Sequence, residues 1–146
     1  MMRIDRTVET SAPLPEVFDF LADFTTTEQW DPGTVRTEHV SGDGGVGTTY
    51  ANTSRFLGRT TDLTYVVETY EPGTRLVLRG ENKTVVAHDT MTFASTASGG
   101  TSVRYLAEFE MKGIARMVAP LLTPAFTRLG DAASAQLRAT LDRLDR

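Results

Sequence analysis

The chain has 146 residues, of which 40% are hydrophobic and 23% charged, with 15 Lys and Arg against 19 Asp and Glu and a formal charge of -4. That length suits one domain with a sizeable core, and the hydrophobic share excludes the composition of a disordered chain. The acidic balance, without a local Lys/Arg cluster, opposes nucleic-acid binding, and the lack of cysteine removes disulfides, thiolate metal ligands and a Cys nucleophile.

Residues 3–10, "RIDRTVET", alternate with the period of a half-buried strand. In "SAPLPEVFDFLAD" Pro13 and Pro15 occupy a first helical turn, where no intrahelical bond is lost, and Val17, Leu21 and Phe24 form an apolar stripe. Thr25 with Glu28, or Thr26 with Gln29, offers a capping box for a second short helix ending near Trp30. From residue 34 to about 111, runs rich in Thr, Val, Tyr and Phe are separated by hairpin punctuation: "SGDGGVG", "FLGR", "EPGT", "GENK" and "ASGGT". The runs, 34–41, 47–56, 60–70, 75–81, 84–95 and 101–111, make six antiparallel strands, seven with the first. From Gly113 to Leu144 the spacing turns helical, with Phe126, Leu129, Ala133, Leu137, Leu141 and Leu144 on one stripe. Pro120 and Pro124 predict a short helical opening, a kink or break, and a straight helix from about 124.

This order predicts an α+β fold: a curved seven-stranded antiparallel sheet covered by a long C-terminal helix, with two short helices between the first two strands. One helix, about 10 Å wide, cannot fill so broad a concavity, so a gap is expected between them. A gap of roughly 300 Å³, left dry and rigid, would cost about 7 kcal/mol, comparable with the whole stability of a domain. It must hold a ligand or water, or be partly collapsed by a mobile helix, and the prolines at 120 and 124 mark where such a mouth would move.

Six segments in order carry a family likeness: "SAPLPEVFDFLAD", "QWDPG", "GVGTTY", "VVETYEPGTRLVL", "GGTSVRYLAEFE" and "APLLTPAFTRLGDAASAQLRATLDRL". On these the chain resembles the polyketide cyclase/dehydrase and lipid transport superfamily, also called SRPBCC or START-like, over nearly its whole length as a single domain, 1–146. The resemblance implies the helix-grip fold. Its members include small-molecule carriers, ligand sensors and aromatase/cyclase enzymes, among which fold does not choose.

Strand parity nominates the lining. Asp89 shares a face with Val85, Ala87, Met91 and Phe93, and Tyr105 lies on the matching face of the last strand. Arg6 lies on the Ile4 and Val8 face, so an Arg6–Asp89 pair across Tyr105 is expected, unless a bulge shifts the register and turns either charge outward. Tyr50, Asn52 and Tyr65 stand on the middle strands with parity unresolved, Trp30 is a core anchor or a ligand contact, and Met117, Leu121 and Phe126 line the pocket from the last segment. His39 reaches the pocket in either register, whereas His88 faces solvent.

Two distant histidines without thiols supply no tetrahedral metal site, the glycine clusters lack phosphate-loop spacing, and no Ser-His-Asp set or paired acids can be assembled, so neither metal nor cofactor is expected. No apolar run reaches ~18 residues and the first ten lack a signal-peptide core, which predicts a cytoplasmic protein without stable membrane insertion. Three functions are compatible. The first is binding of a hydrophobic small molecule such as a lipid, quinone or polyketide, by a monomer or homodimer. The second is a cyclase or dehydratase using Asp89 or His39 as base and Tyr65 or Tyr105 as oxyanion donor. The third is an interaction module presenting the last helix.

Overall fold

The computed structural model describes residues 1–145. Strand β1 (Met2–Thr10) leads into α1 (Leu14–Ala22), a 3-10 turn (Phe24–Thr26) and α2 (Thr27–Trp30). Six strands follow: β2 (Thr34–Ser41), β3 (Thr49–Phe56), β4 (Arg59–Glu71), β5 (Arg75–Glu81), β6 (Val85–Ser95) and β7 (Thr101–Met111). The chain closes with α3 (Ala115–Val118), a 3-10 turn (Ala119–Leu122), α4 (Thr123–Asp142) and a last 3-10 turn (Arg143–Asp145). The fold class read from the sequence is the one adopted.

All strand pairs are antiparallel, in the order β1-β7-β6-β5-β4-β3-β2. The meander builds outward from β7, and β1 closes the other side of β7. Pairing is regular from β5 through β7 to β1, while register shifts fall between β2 and β3 and at Val67/Thr69 in β4. One face is buried throughout: Ile4 and Val8 of β1, Val103, Tyr105 and Ala107 of β7, Ala87, Asp89, Met91 and Phe93 of β6, and Leu76 and Leu78 of β5.

Three helical pieces cover different parts of that face. Phe18 of α1 meets Phe93 (5.1 Å between ring centres) and Tyr70 (5.4 Å) edge-on. The turn after α1 sends Phe24 onto Tyr50 and Tyr65. Its cap is not the expected box: the Asp23 carboxylate accepts from Thr25 N–H (3.0 Å), while Glu28 accepts from Thr37 N–H (2.9 Å) and ties α2 to β2. The capping carboxylate sits two residues earlier than the sequence pattern suggests because the 3-10 turn, not α2, is what must be capped.

Helix α4 lies along β1. The predicted proline interruption takes the form of a 3-10 turn, with Pro120 in its first turn and Pro124 in the first turn of α4, where their missing N–H groups cost nothing. Gly130 seats the helix. A Cβ there would stand 2.8 Å from Ile4 Cγ2 and 3.0 Å from Arg6 Nη2, so only glycine allows this approach. Arg6 then reaches over the helix, donating to the Asp131 carboxylate (2.9 Å) and the Thr127 carbonyl (3.3 Å). At the other end, Gln136 donates to the Gln29 carbonyl (2.8 Å), holding α2 beneath α4.

Alanine at 130 would gain roughly 1 kcal/mol of helix propensity. The overlap with a β-branched side chain on a strand outweighs it, so Gly130→Ala should lose about 1–3 kcal/mol and Gly130→Val more. Chemical denaturation measures this; a stabilised Gly130→Ala would show that α4 is not seated as described.

Candidate ligand-binding site

The middle of the concave face is built from small residues. One row across the sheet runs Tyr50, Tyr65, Gly80, Ala87, Phe109, and the next runs Val67, Leu78, Asp89, Ala107, Ile4. Gly80, Ala87 and Ala107 leave the floor low where neighbouring positions carry rings. A Cβ on Gly80 would lie 2.6 Å from Tyr65 Cε1 and Cζ, so the Tyr65 ring lies directly over Gly80 and extends toward β6. Around the floor stand Phe24 against Tyr65 (4.7 Å), Trp30 edge-on to Tyr105 (5.4 Å), and Phe126 between Phe56 (4.6 Å) and Phe109 (5.1 Å). Leu63, Tyr65, Asp89, Tyr105 and Phe126 each keep 6–8% of their surface accessible, whereas Ala87 and Ala107 beneath them keep none. All five side chains are buried.

Polar atoms in this apolar setting are few and under-partnered. The β6–β7 register runs unshifted from Val85 to Ser95, so Asp89 does point inward. Burial, and then the charge of Asp31, push its carboxyl up to about 7, and no hydrogen bond from the protein opposes them. Asp31, just after α2, is also raised by burial, against hydrogen bonds from Gly33 N–H (3.0 Å) and the Thr34 hydroxyl (3.0 Å). Burial, followed by the Asp89 and Asp31 charges, lifts the Tyr65 and Tyr105 phenols well above the usual range. Trp30 Nε1 is buried without a partner, alone among side-chain polar atoms of the described residues.

The expected Arg6–Asp89 pair does not form. Arg6 starts on the concave face of an edge strand, and Asp131 with the Thr127 carbonyl captures its guanidinium on α4. Tyr65, Tyr105, Trp30 and Asp89 are brought together, with Phe126 at one end and Met91 beside Tyr105 in register. Phe93 is part of the α1 contact instead. Asn52 is buried but consumed: its amide donates to the Thr37 hydroxyl (2.9 Å) and its carbonyl accepts from Ser54 (2.6 Å). His39 is exposed on the far edge strand beside Tyr50, remote from Asp89 in the strand order. Met117 and Leu121 are each 79% exposed, so they form an outer rim with Ile114 and do not touch the interior. His88 faces outward toward Glu68 (3.7 Å). Asp31 was not singled out by sequence. An Asp before Pro-Gly reads as a turn former, a role it does perform, and that reading hides its burial.

Two clefts open to the surface. One, about 530 Å³, lies over β3, β4 and the β5–β6 turn, where the buried Asn52 and Leu63 line it together with Asp62, Glu81 and Lys83. The other, about 480 Å³, lies between α1 and the β2–β3 turn and includes Asp23, His39, Tyr50 and Tyr70. Neither is lined by Asp89, Tyr65 or Tyr105. Among the described residues no cluster of His, Asp and Glu is disposed to hold a metal, and no helix is long and apolar enough to cross a membrane.

Residues 1–145 match the family model described as polyketide cyclase / dehydrase and lipid transport. The chain belongs to that family. Its fold is similar to that of the Zhui aromatase/cyclase from Streptomyces sp. R1128, with a TM-score of 0.83 at 15% identity, covering 99% of this chain and 95% of that one. A START superfamily protein from Mycobacterium smegmatis gives 0.81 at 11% identity, covering 99% of both chains. The di-domain ARO/CYC BexL of the BE-7585A biosynthetic pathway gives 0.66 at 14% identity, this chain spanning 49% of its length. At such identities the likeness is one of fold. No curated protein matches the chain by sequence.

Between its ordinary value of 3.8 and about 7, Asp89 holds its proton more firmly folded than unfolded. Folding therefore takes up a proton in that window, and stability falls as pH rises through it, by about 4 kcal/mol in all. Asp89→Asn should match the wild type near the bottom of the window and exceed it increasingly toward the top. Thermal melts of both proteins across the range test this; parallel curves would place Asp89 in contact with water.

Proposed function

We propose that the protein binds a hydrophobic small molecule, such as a lipid, quinone or polyketide, in the space between the sheet and α4, as a carrier or sensor. The observation behind this reading is a concave face with rings set around small residues and the Asp89 carboxyl among them without a hydrogen-bond donor. A buried carboxyl without a donor is costly, and a bound molecule that donates to it relieves that cost. Because these side chains are buried, a ligand of ordinary size needs an opening. The 3-10 turn at Pro120 and the exposed Ile114, Met117 and Leu121 beside it supply a hinge and an apolar threshold. Native mass spectrometry of freshly expressed protein, with organic extraction, should reveal a stoichiometric small molecule released on denaturation. Protein that is bare from several hosts, and that binds no hydrophobic probe saturably, would end the proposal.

One observation favours an enzymatic reading, a cyclase or dehydratase in the same space. A carboxyl held near neutrality beside two tyrosines is equipped to take a proton from an activated carbon while a phenol donates to the enolate oxygen. On that reading Asp89→Asn loses about 100-fold or more in turnover with ligand affinity retained. Loss of affinity alone supports the carrier.

A further inference from the structure

The segment joining β7 to α4 carries its apolar side outward. Ile114, Met117, Val118 and Leu121 recur at intervals of three and four and so share one side, yet Ile114 is 83% exposed and Met117 and Leu121 79% each. Helix α3 buries none of its residues, and the 3-10 turn after it buries only Ala119. A second apolar tip stands at the same end of the sheet. Leu57 and Gly58 turn β3 into β4, and the exposed Leu57 has a φ of 52°, a left-handed conformation that suits Asn or Gly in such a turn and that leucine adopts at a cost. The two tips are neighbours: Phe56, beside Leu57, packs on Phe126 near the start of α4 (4.6 Å between ring centres). Neither cleft is lined by these side chains, so they protrude and form no socket.

Charge divides along the same axis. No acid occurs from Gly44 to Thr61 or from Met111 to Gly130, stretches that carry Arg55, Arg59, Lys112, Arg116 and Arg128. Lys112 is held by Glu81, whereas the four arginines are exposed and enter no ion pair among the described residues. Asp62, Glu81 and Glu110 are the acids at this end, and Glu81 is already spent on Lys112 and Arg79. At the far end, α1 and the β2–β3 turn bring Asp19, Asp23 and Asp43 around the second cleft. The formal charge of -4 is therefore unevenly spread, and an anionic surface would meet the basic, apolar end first. Protruding apolar side chains ringed by arginines match a bilayer bearing acidic headgroups, which takes up the side chains at its interface, offers phosphates to the guanidiniums and, being fluid, needs no complementary socket. We infer that this end of the molecule docks peripherally on anionic lipid bilayers through the Leu57 and 114–121 tips and the four arginines around them. Such docking uses the outer surface and does not depend on whether the interior carries a ligand.

Flotation of the full chain with vesicles of phosphatidylcholine alone, or with about one third phosphatidylserine, tests this. The anionic vesicles should be bound at least about tenfold more tightly, and that advantage should fade as salt rises from about 0.05 M to about 0.5 M. Leu57→Asn combined with Leu121→Ser should weaken binding about tenfold or more, with a melting temperature no lower, since both positions are exposed and asparagine suits the turn. Arg59→Glu with Arg116→Glu should abolish the anionic preference. Arg75→Glu with Arg138→Glu changes the net charge equally at exposed positions away from the tips and should leave that preference within about twofold. Absence of flotation, equal binding to both vesicles, or an equal loss in the two charge-reversed proteins would overturn the docking. So would self-association relieved by Leu57→Asn with Leu121→Ser in a protein that ignores vesicles, which would assign the face to a second copy of the chain. None of these outcomes touches the proposed interior ligand, which native mass spectrometry decides separately.

Discussion

The seating of α4 on β1 at Gly130 governs the rest of the structure. A helix that could not approach so closely would stand off the sheet and sit more centrally, over β6 and β5. With glycine at that point the helix axis is drawn to one side, and Arg6 is drawn with it, across the helix to Asp131. The exposed carboxylate of that pair contributes little to stability. Its larger effect is on what is left behind: the only guanidinium that could have neutralised Asp89 from β1 is committed elsewhere. The off-centre helix also leaves α1, the 3-10 turn and α2 to roof the remaining floor, which they do with Phe18, Phe24 and Trp30 beside the buried Val17 and Leu21.

From that geometry follow the electrostatics. Gly80, Ala87 and Ala107 lower the floor, Tyr65 lies flat over Gly80, and the carboxyl of Asp89 rises from the same surface without a donor. The buried Asp89 carboxyl, with the half-buried Asp31 nearby and no cation, ionises at a cost, and its proton is retained toward neutrality. The interior is thus able to accept or donate a hydrogen bond at one position, a property that suits recognition of an uncharged oxygen and proton transfer alike. Binding and chemistry are distinguished here by what the ligand offers to Asp89, not by a different set of residues.

The strands were legible because each alternates over a buried face and ends in glycine-bearing turns; the inward direction of Asp89 followed from β6 and β7, which carry no bulge. What parity could not supply was the fate of a long side chain at a sheet edge. Arg6 has the correct face in sequence, but its guanidinium travels several ångströms to partners on α4 that no local pattern connects to β1. His39 stands apart from Asp89 for a related reason, since it lies on the opposite edge strand, where it lines the cleft beside Tyr50. Asp31 was hidden by its own turn chemistry, and Glu28 was bound to β2 where the capping pattern suggested a role in its own helix.

The cost of the interior is itself informative. Asn in place of Asp89 would preserve shape while removing a buried charge, and toward neutral pH stability alone favours that change. A fold optimised only for its own persistence would therefore not carry that group, and the rest of the core, where Thr27 and Thr37 share a hydrogen bond and Asn52 donates to Thr37, shows that this chain can place buried polar groups with partners. A carboxyl without a donor at the low-floored centre, beside a hydrogen-bonded network at its margin, is the pattern expected where local stability is exchanged for contact with something outside the chain.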